Sequence, residues 1–145
     1  MIRVMFVCHG NICRSTMAEF LFKDTVEKKG MGHKFYIASS ATSREEIGNG
    51  VHYGTRRVLD RFGIDYSKKR AVQLVKEDYD KYDYFIGMDD ANVRNMTRIL
   101  GCSDKVFKFL EFAEIFNMIC RIYSNKAFTL LAISSSSSPL LISSF

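Results

Sequence analysis

The sequence predicts an α/β fold: a small doubly wound parallel sheet of about four strands, flanked by helices. Three observations carry this. Short apolar, β-branched runs alternate with amphipathic stretches over roughly the first 110 residues. At 145 residues and 47% hydrophobic content, the chain can bury one core and is too short for two full domains. A polar loop, Cys8-His9-Gly10-Asn11-Ile12-Cys13-Arg14-Ser15, separates the first apolar run from the first helical pattern.

In chain order, Ile2 to Val7 is a buried strand and Thr16 to Lys29 a helix, with Met17, Phe20, Leu21 and Ala18 facing inward. Gly30 and Gly32 punctuate its end. Phe35 to Ser39 is the second strand, and Ser39 to Asn49 the loop after it. Val51 to Phe62 reads as a helix stopped by Gly63. Tyr82 to Met88 is an aromatic, β-rich strand ending at Asp89, and Ala91 to Leu100 a helix closed by Gly101. Lys105 to Leu110 is a further strand. Strands separated by helices imply parallel pairing with a site at the carboxyl ends, where Cys8, Ser39 and Asp89 all fall.

The polar loop has the composition of an oxyanion cradle. A cysteine, five residues and an arginine between a strand end and a helix start allow the amides of His9, Gly10, Asn11, Ile12 and Cys13 to converge on one phosphate. Arg14 can hold two phosphate oxygens with its planar fork. Cys8 is placed to attack as a thiolate, and the Ser15 hydroxyl can donate to its sulfur. Gly10 permits close approach of the backbone. A cysteine and an arginine meet this spacing by accident often enough that the following serine and the strand-loop-helix context matter more than the spacing. Cys8, His9 and Cys13 do not read as a zinc site, because His33, His52, Cys102 and Cys120 supply no second short-spaced pair.

The formal net charge is +5. Lys28-Lys29, Arg56-Arg57 and Lys68-Lys69-Arg70 fall on separate predicted elements without interleaved aromatics, which reads as solvated surface and not as a nucleic-acid interface. The field still favours approach of a dianionic ester. Met1-Ile2-Arg3 opens only a short apolar run, so no signal peptide and no membrane segment are expected. Four cysteines without paired spacing suggest reduced thiols in a cytoplasmic protein, and a monomer is expected.

Val7 to Ser15 resembles the signature of the low-molecular-weight protein-tyrosine phosphatases. So do Ser39-Ser40-Ala41-Thr42-Ser43 with Ile47-Gly48-Asn49, and Tyr82-Asp83-Tyr84-Phe85-Ile86-Gly87-Met88-Asp89. The likeness runs in order from residue 1 to about 113. It implies hydrolysis of phosphotyrosine proteins or small phosphate esters through a cysteinyl phosphate, without a cofactor or metal. By resemblance Cys8 is the nucleophile and Arg14 the phosphate clamp, while Asn11, Ser15 and Ser39 shape the loop. It also implies that Cys13 can pair with Cys8 and protect it from irreversible oxidation. Thr16 replaces a usual proline, a change the first helical turn should tolerate. Asp89 reads first as a helix cap and second as a supporting carboxylate near the loop. Glu45 stands where the family often carries a bulky residue, and His9 where it has an aliphatic one. Glu45 and Glu46 therefore put negative charge at the substrate rim, which predicts a taste for phosphotyrosines flanked by basic residues.

The resemblance fails after Phe112. The family continues to an Asp-Pro pair and an aromatic, whose aspartate protonates the leaving phenol. Here Asp104 is the last aspartate and Glu114 the last acid; Ile115 to Phe145 carries only Arg121 and Lys126 as charges, with a serine run at Ser134 to Ser138. The sequence thus divides into a phosphatase-like domain, 1–113, and an aberrant tail, 114–145, from an altered coding frame or a divergent, poorly ordered segment. Neither Glu111 nor Glu114 matches the missing acid in context. Arsenate reduction would need a closer resolving pair than Cys102 and Cys120, and arginine-phosphate specificity a threonine at Ile12. A phosphotyrosine-binding module without turnover is the alternative from another class.

Overall fold

The structure, a computed structural model, describes residues 1–111. The tail at 114–145, the boundary at 113, Glu114 and Cys120 lie outside the described residues.

The elements run β1 (Ile2–Cys8), α1 (Arg14–Lys28), β2 (Phe35–Ala41), α2 (Tyr53–Arg61), β3 (Tyr84–Gly87), α3 (Asp90–Leu100) and β4 (Val106–Lys108), with short 3-10 turns at Gly32–Lys34 and Lys76–Asp78. The four strands form one sheet in the order β2-β1-β3-β4. Every pairing is parallel. The chain leaves β1 toward β2, then returns to place β3 on its other side. That reversal opens a crevice beyond the carboxyl ends of β1 and β3, the place where doubly wound sheets bind ligands.

Successive strand residues face opposite sides, so each face of β1 meets its own layer. Met5 and Val7 pack with Phe85, Leu74, Tyr82, Met96 and Leu100, which seats α3. Phe6, on the other face, meets Phe22 of α1 edge-on with ring centroids 5.7 Å apart, and Phe22 meets Phe35 at 5.6 Å. Burying Phe6 and Phe85 completely contributes about 1.5–3 kcal/mol each.

Gly87 ends β3 where α3 crosses closely. A Cβ there would stand 2.8 Å from Met96 Cε and 3.2 Å from the Val93 backbone nitrogen. Gly101 closes α3 in the left-handed region at φ 78°, as the sequence predicts.

Three expectations need correction. The helix predicted from Thr16 begins at Arg14, because the loop passes straight into the first turn. Its buried residues are Ser15, Thr16 and Glu19 beside the loop and Val26 further along, while Met17, Ala18, Phe20 and Leu21 are half-buried. The strand predicted over Tyr82 to Met88 is shorter, Tyr84–Gly87; before it Asp83 is tied to β1, its amide donating to the Arg3 carbonyl at 2.9 Å and its Oδ2 accepting from the Arg3 amide at 2.8 Å. Among the described residues no helix is long and apolar enough to cross a membrane.

Candidate active site

Cys8 is the last residue of β1 and is buried. The chain then reverses over five residues and enters α1 at Arg14. What shapes this loop is its carbonyls. That of Cys8 accepts from the Thr42 amide at 2.9 Å, that of His9 from Ser43 at 2.9 Å, and that of Ile12 from His52 at 3.0 Å. The Asn11 carbonyl accepts from the Thr16 hydroxyl at 2.8 Å, and the Cys13 carbonyl from the Met17 amide at 2.8 Å. In a trans peptide the carbonyl and the following N–H point opposite ways. Carbonyls tied outward therefore turn the amides of His9, Gly10, Ile12, Cys13 and Arg14 inward, which is what an oxyanion cradle requires. Thr16, in the place of a usual proline, contributes one of these ties.

Asn11 is the hinge. Its φ of 55° puts it in the left-handed region, which asparagine enters more readily than most residues. It is buried, and its side chain is fully used: Nδ2 donates to Ser15 Oγ at 2.9 Å and Ser39 Oγ at 2.7 Å, while Oδ1 accepts from the Val72 amide at 3.1 Å. Its own amide points at Cys8 Sγ, 3.3 Å away, and Ser15 Oγ lies 3.0 Å from the same sulfur.

The chain of contacts continues into the interior. Ser39 Oγ donates to Glu19 Oε2 at 2.5 Å, and Glu19 is clamped by Lys69 Nζ at 2.9 Å and Lys23 Nζ at 2.5 Å. Burial pushes the Glu19 carboxyl up, but Lys69 first, then Lys23, and the hydrogen bonds from Lys23 and Ser39 outweigh it and hold the group below its ordinary range. Sequence reasoning missed Glu19, Lys69 and Val72. Ser15, Glu19 and Lys23 at four-residue spacing mark one helical face, a signal that was present; Lys69 and Val72 left none.

Arg14 is half-exposed at the mouth, and its Nη1 donates to Asp89 Oδ2 at 2.5 Å. Asp89 also caps α3, its Oδ1 accepting from the Asn92 amide at 2.7 Å. The cap and the supporting carboxylate are therefore one residue with an oxygen for each task. The Arg14 hydrogen bond and the backbone amide hold its carboxyl below the ordinary range against partial burial. Paired in this way, Asp89 confronts an incoming anion with little net charge.

Cys13 lies beside Cys8 at the start of α1. Burial pushes its thiol up, the neighbouring Cys8 adds to the rise, and a hydrogen bond with Thr55 opposes it. Cys8, Cys13 and Cys102 are free thiols.

At the rim, His9 Nε2 and Glu45 Oε2 are 3.1 Å apart, with both side chains mostly exposed. Glu46 accepts from Asn49 Nδ2 at 2.7 Å, and its Cγ would stand 3.0 Å from a Cβ added to Gly10. The space that Gly10 leaves is filled by this side chain. Glu111 accepts from the Lys108 amide at 3.1 Å.

The likenesses to known proteins follow the same residues. The family model described as low molecular weight phosphotyrosine protein phosphatase matches residues 3–120. The low molecular weight protein-tyrosine-phosphatase YfkJ of Bacillus subtilis is 39% identical over 116 residues, covering 79% of this chain and 74% of that protein. Its crystal structure superposes with a TM-score of 0.74, covering 79% of this chain and 73% of that one. The low molecular weight phosphotyrosine protein phosphatase of Schizosaccharomyces pombe is 42% identical over 116 residues, covering 78% of this chain and 74% of that protein. The chain therefore belongs to the low molecular weight phosphotyrosine protein phosphatase family.

Proposed function

We propose that this chain attacks phosphotyrosine proteins or small aryl phosphates through Cys8, with Arg14 and the amides of residues 9–14 holding the phosphoryl group. Cys8 Sγ attacks phosphorus, the S–P bond forms as the bond to the phenolic oxygen breaks, and the phenolate leaves and takes its proton from water. Water then cleaves the thiophosphate and releases inorganic phosphate. The outward-tied loop carbonyls carry this reading, since they aim a ring of amides at the place where charge develops. The Arg14 fork adds the cation, and Asn11, Ser15 and Ser39 keep the loop from relaxing.

The step that lacks a residue is proton transfer. A phenol with pKa near ~10 leaves poorly without an acid, and general acid–base help is typically worth roughly 10²–10⁴-fold. With Asp104 the last aspartate of the sequence, we infer that both steps are slow. The setting we assign is a cytoplasmic monomer, in keeping with the free thiols of the described residues.

Rapid mixing with an ester whose leaving group departs unprotonated is expected to give a burst of about one leaving group per enzyme, then slow turnover. Cys8→Ser should remove the burst and retain phosphate binding. Undiminished hydrolysis by Cys8→Ser would overturn the mechanism. Tight phosphopeptide binding by the wild type with no burst would establish a binding module instead. Rapid steady turnover of phosphotyrosine would show that another residue supplies the acid.

A further inference from the structure

Arg56 and Arg70, from two basic runs that read as unconnected surface, line the same groove. Its walls are Arg56 of α2, Tyr66, Ser67 and Arg70 of the following loop, and Gly50 and Val51 of the segment before α2; it encloses about 450 Å³. That volume falls within the range of small-molecule sites.

The walls are fixed to each other. The Ala71 amide donates to the Asn49 carbonyl, and the Gly48 amide to the Ala71 carbonyl, both at 2.9 Å. These bonds hold the residues before and after them, Arg70 and Gly50, side by side. Arg70 is also oriented, since its Nη1 donates to the carbonyls of Ser67 at 2.8 Å and Lys69 at 2.7 Å. One end of the guanidinium is thus held by the backbone. Among the described residues neither Arg56 nor Arg70 has a carboxylate within 4.0 Å. The nearby Asp65 is engaged by the backbone, its Oδ1 accepting from the Ser67 amide at 2.8 Å.

Two guanidinium forks without carboxylate partners match a dianion, because each can give two parallel N–H bonds to its oxygens. The Tyr66 ring and the buried Val51 side chain add an apolar wall for the organic part of an ester. We propose that this groove is a second oxyanion site that takes a phosphate group, separate from the loop at Cys8. The phosphate comes either from a free phosphate ester or from a second phosphorylated residue on a protein substrate.

Inorganic phosphate is the first probe, titrated at low ionic strength into Arg14→Ala so that the Cys8 loop is weakened as a competitor. Amide NMR shifts are expected to saturate around Gly50, Ser67 and Arg70. Arg56→Gln, which leaves the Arg70 scaffold intact, should weaken that site at least tenfold, and Arg56→Gln/Arg70→Gln should abolish it. Lys28→Gln/Lys29→Gln, a change in cationic charge elsewhere, should leave it unaltered. Shifts that never saturate, or that persist in the double arginine variant, would overturn the proposal. The sources separate with phosphotyrosine peptides carrying or lacking a second phosphoserine. A KM advantage for the doubly phosphorylated peptide that disappears in Arg56→Gln identifies a substrate phosphate, and a saturable phosphate site without that advantage identifies a free ester. The NMR readout does not involve Cys8, so failure of the cysteinyl-phosphate mechanism leaves this test standing.

Discussion

Replacing Lys69 and Lys23 together by methionine should reverse the way stability responds to acid. Glu19 and Lys69 are both buried, with side chains 7% and 12% exposed, so solvent screens their pairing little. Removing one partner of such a pair costs about 3–5 kcal/mol, a large share of the roughly 5–15 kcal/mol that holds a domain together. With a urea slope of roughly 1–3 kcal/mol per M, the midpoint at pH 7 should fall by about 2 M. In the wild type the native Glu19 carboxyl lies below its ordinary value of 4.5, so the unfolded chain binds the extra proton. This contribution is complete above pH 4.5 and fades as the pH falls through the lower native value. Lys69→Met removes the largest attraction opposing burial, and Lys23→Met the next. In the double variant the native carboxyl should rise above its unfolded value. Native protein then binds the extra proton, and stability increases on acidification from pH 7 toward 5, by at most about 1.4 kcal/mol per pH unit. Urea melts at pH 7, 6 and 5 measure the slope. A double variant that keeps the wild-type slope would refute the balance described here.

Asp89→Asn should keep the α3 cap, since asparagine caps well, but lose the anion that orients Arg14; kcat/KM is expected to drop about 10-fold with Tm nearly unchanged. Gly87→Ala should cost about 1–3 kcal/mol in thermal unfolding, because the Val93 backbone nitrogen cannot move aside as the Met96 methyl can. A panel of phosphotyrosine peptides should show faster turnover with lysine than with glutamate beside the phosphotyrosine, and Glu45→Lys/Glu46→Lys should invert the order; equal rates would show the rim glutamates to be ordinary surface.

How much of this was legible in the sequence depended on how locally each feature is encoded. The parallel sheet and the loop at Cys8 were readable, because strands alternate with helices and β1, its polar loop and the start of α1 are contiguous; the order β2-β1-β3-β4 is set by long-range packing. The inward face of α1 was misread. Hydrophobicity points to Met17 and Leu21, yet the buried stripe is Ser15, Thr16 and Glu19, polar because it must serve the loop. Asp89 offered two readings that looked exclusive, and only the geometry shows one oxygen on Asn92 and the other on Arg14. Lys69 and Val72 reach the site over separations of 50 and 61 residues, to Glu19 and Asn11, and no local pattern announces such pairings. The same holds for Arg56 and Arg70, which line one groove although they belong to separate basic runs.

These pairings also explain how the two halves of the proposed reaction come apart. Forming a cysteinyl phosphate needs an oriented sulfur, inward amides and a held cation. Each is fixed by residues between Cys8 and Asp89: Thr42, Ser43, His52 and Thr16 on the carbonyls, Asn11 and Ser15 on the sulfur, Asp89 on the arginine. None of these contacts draws on the sequence after Phe112. On the mechanism proposed above, a missing acid slows proton transfer and leaves the cradle's own hydrogen bonds in place. That proposal predicts a slow enzyme that still phosphorylates its cysteine, whereas a defect anywhere in the Asn11 network would weaken both steps together.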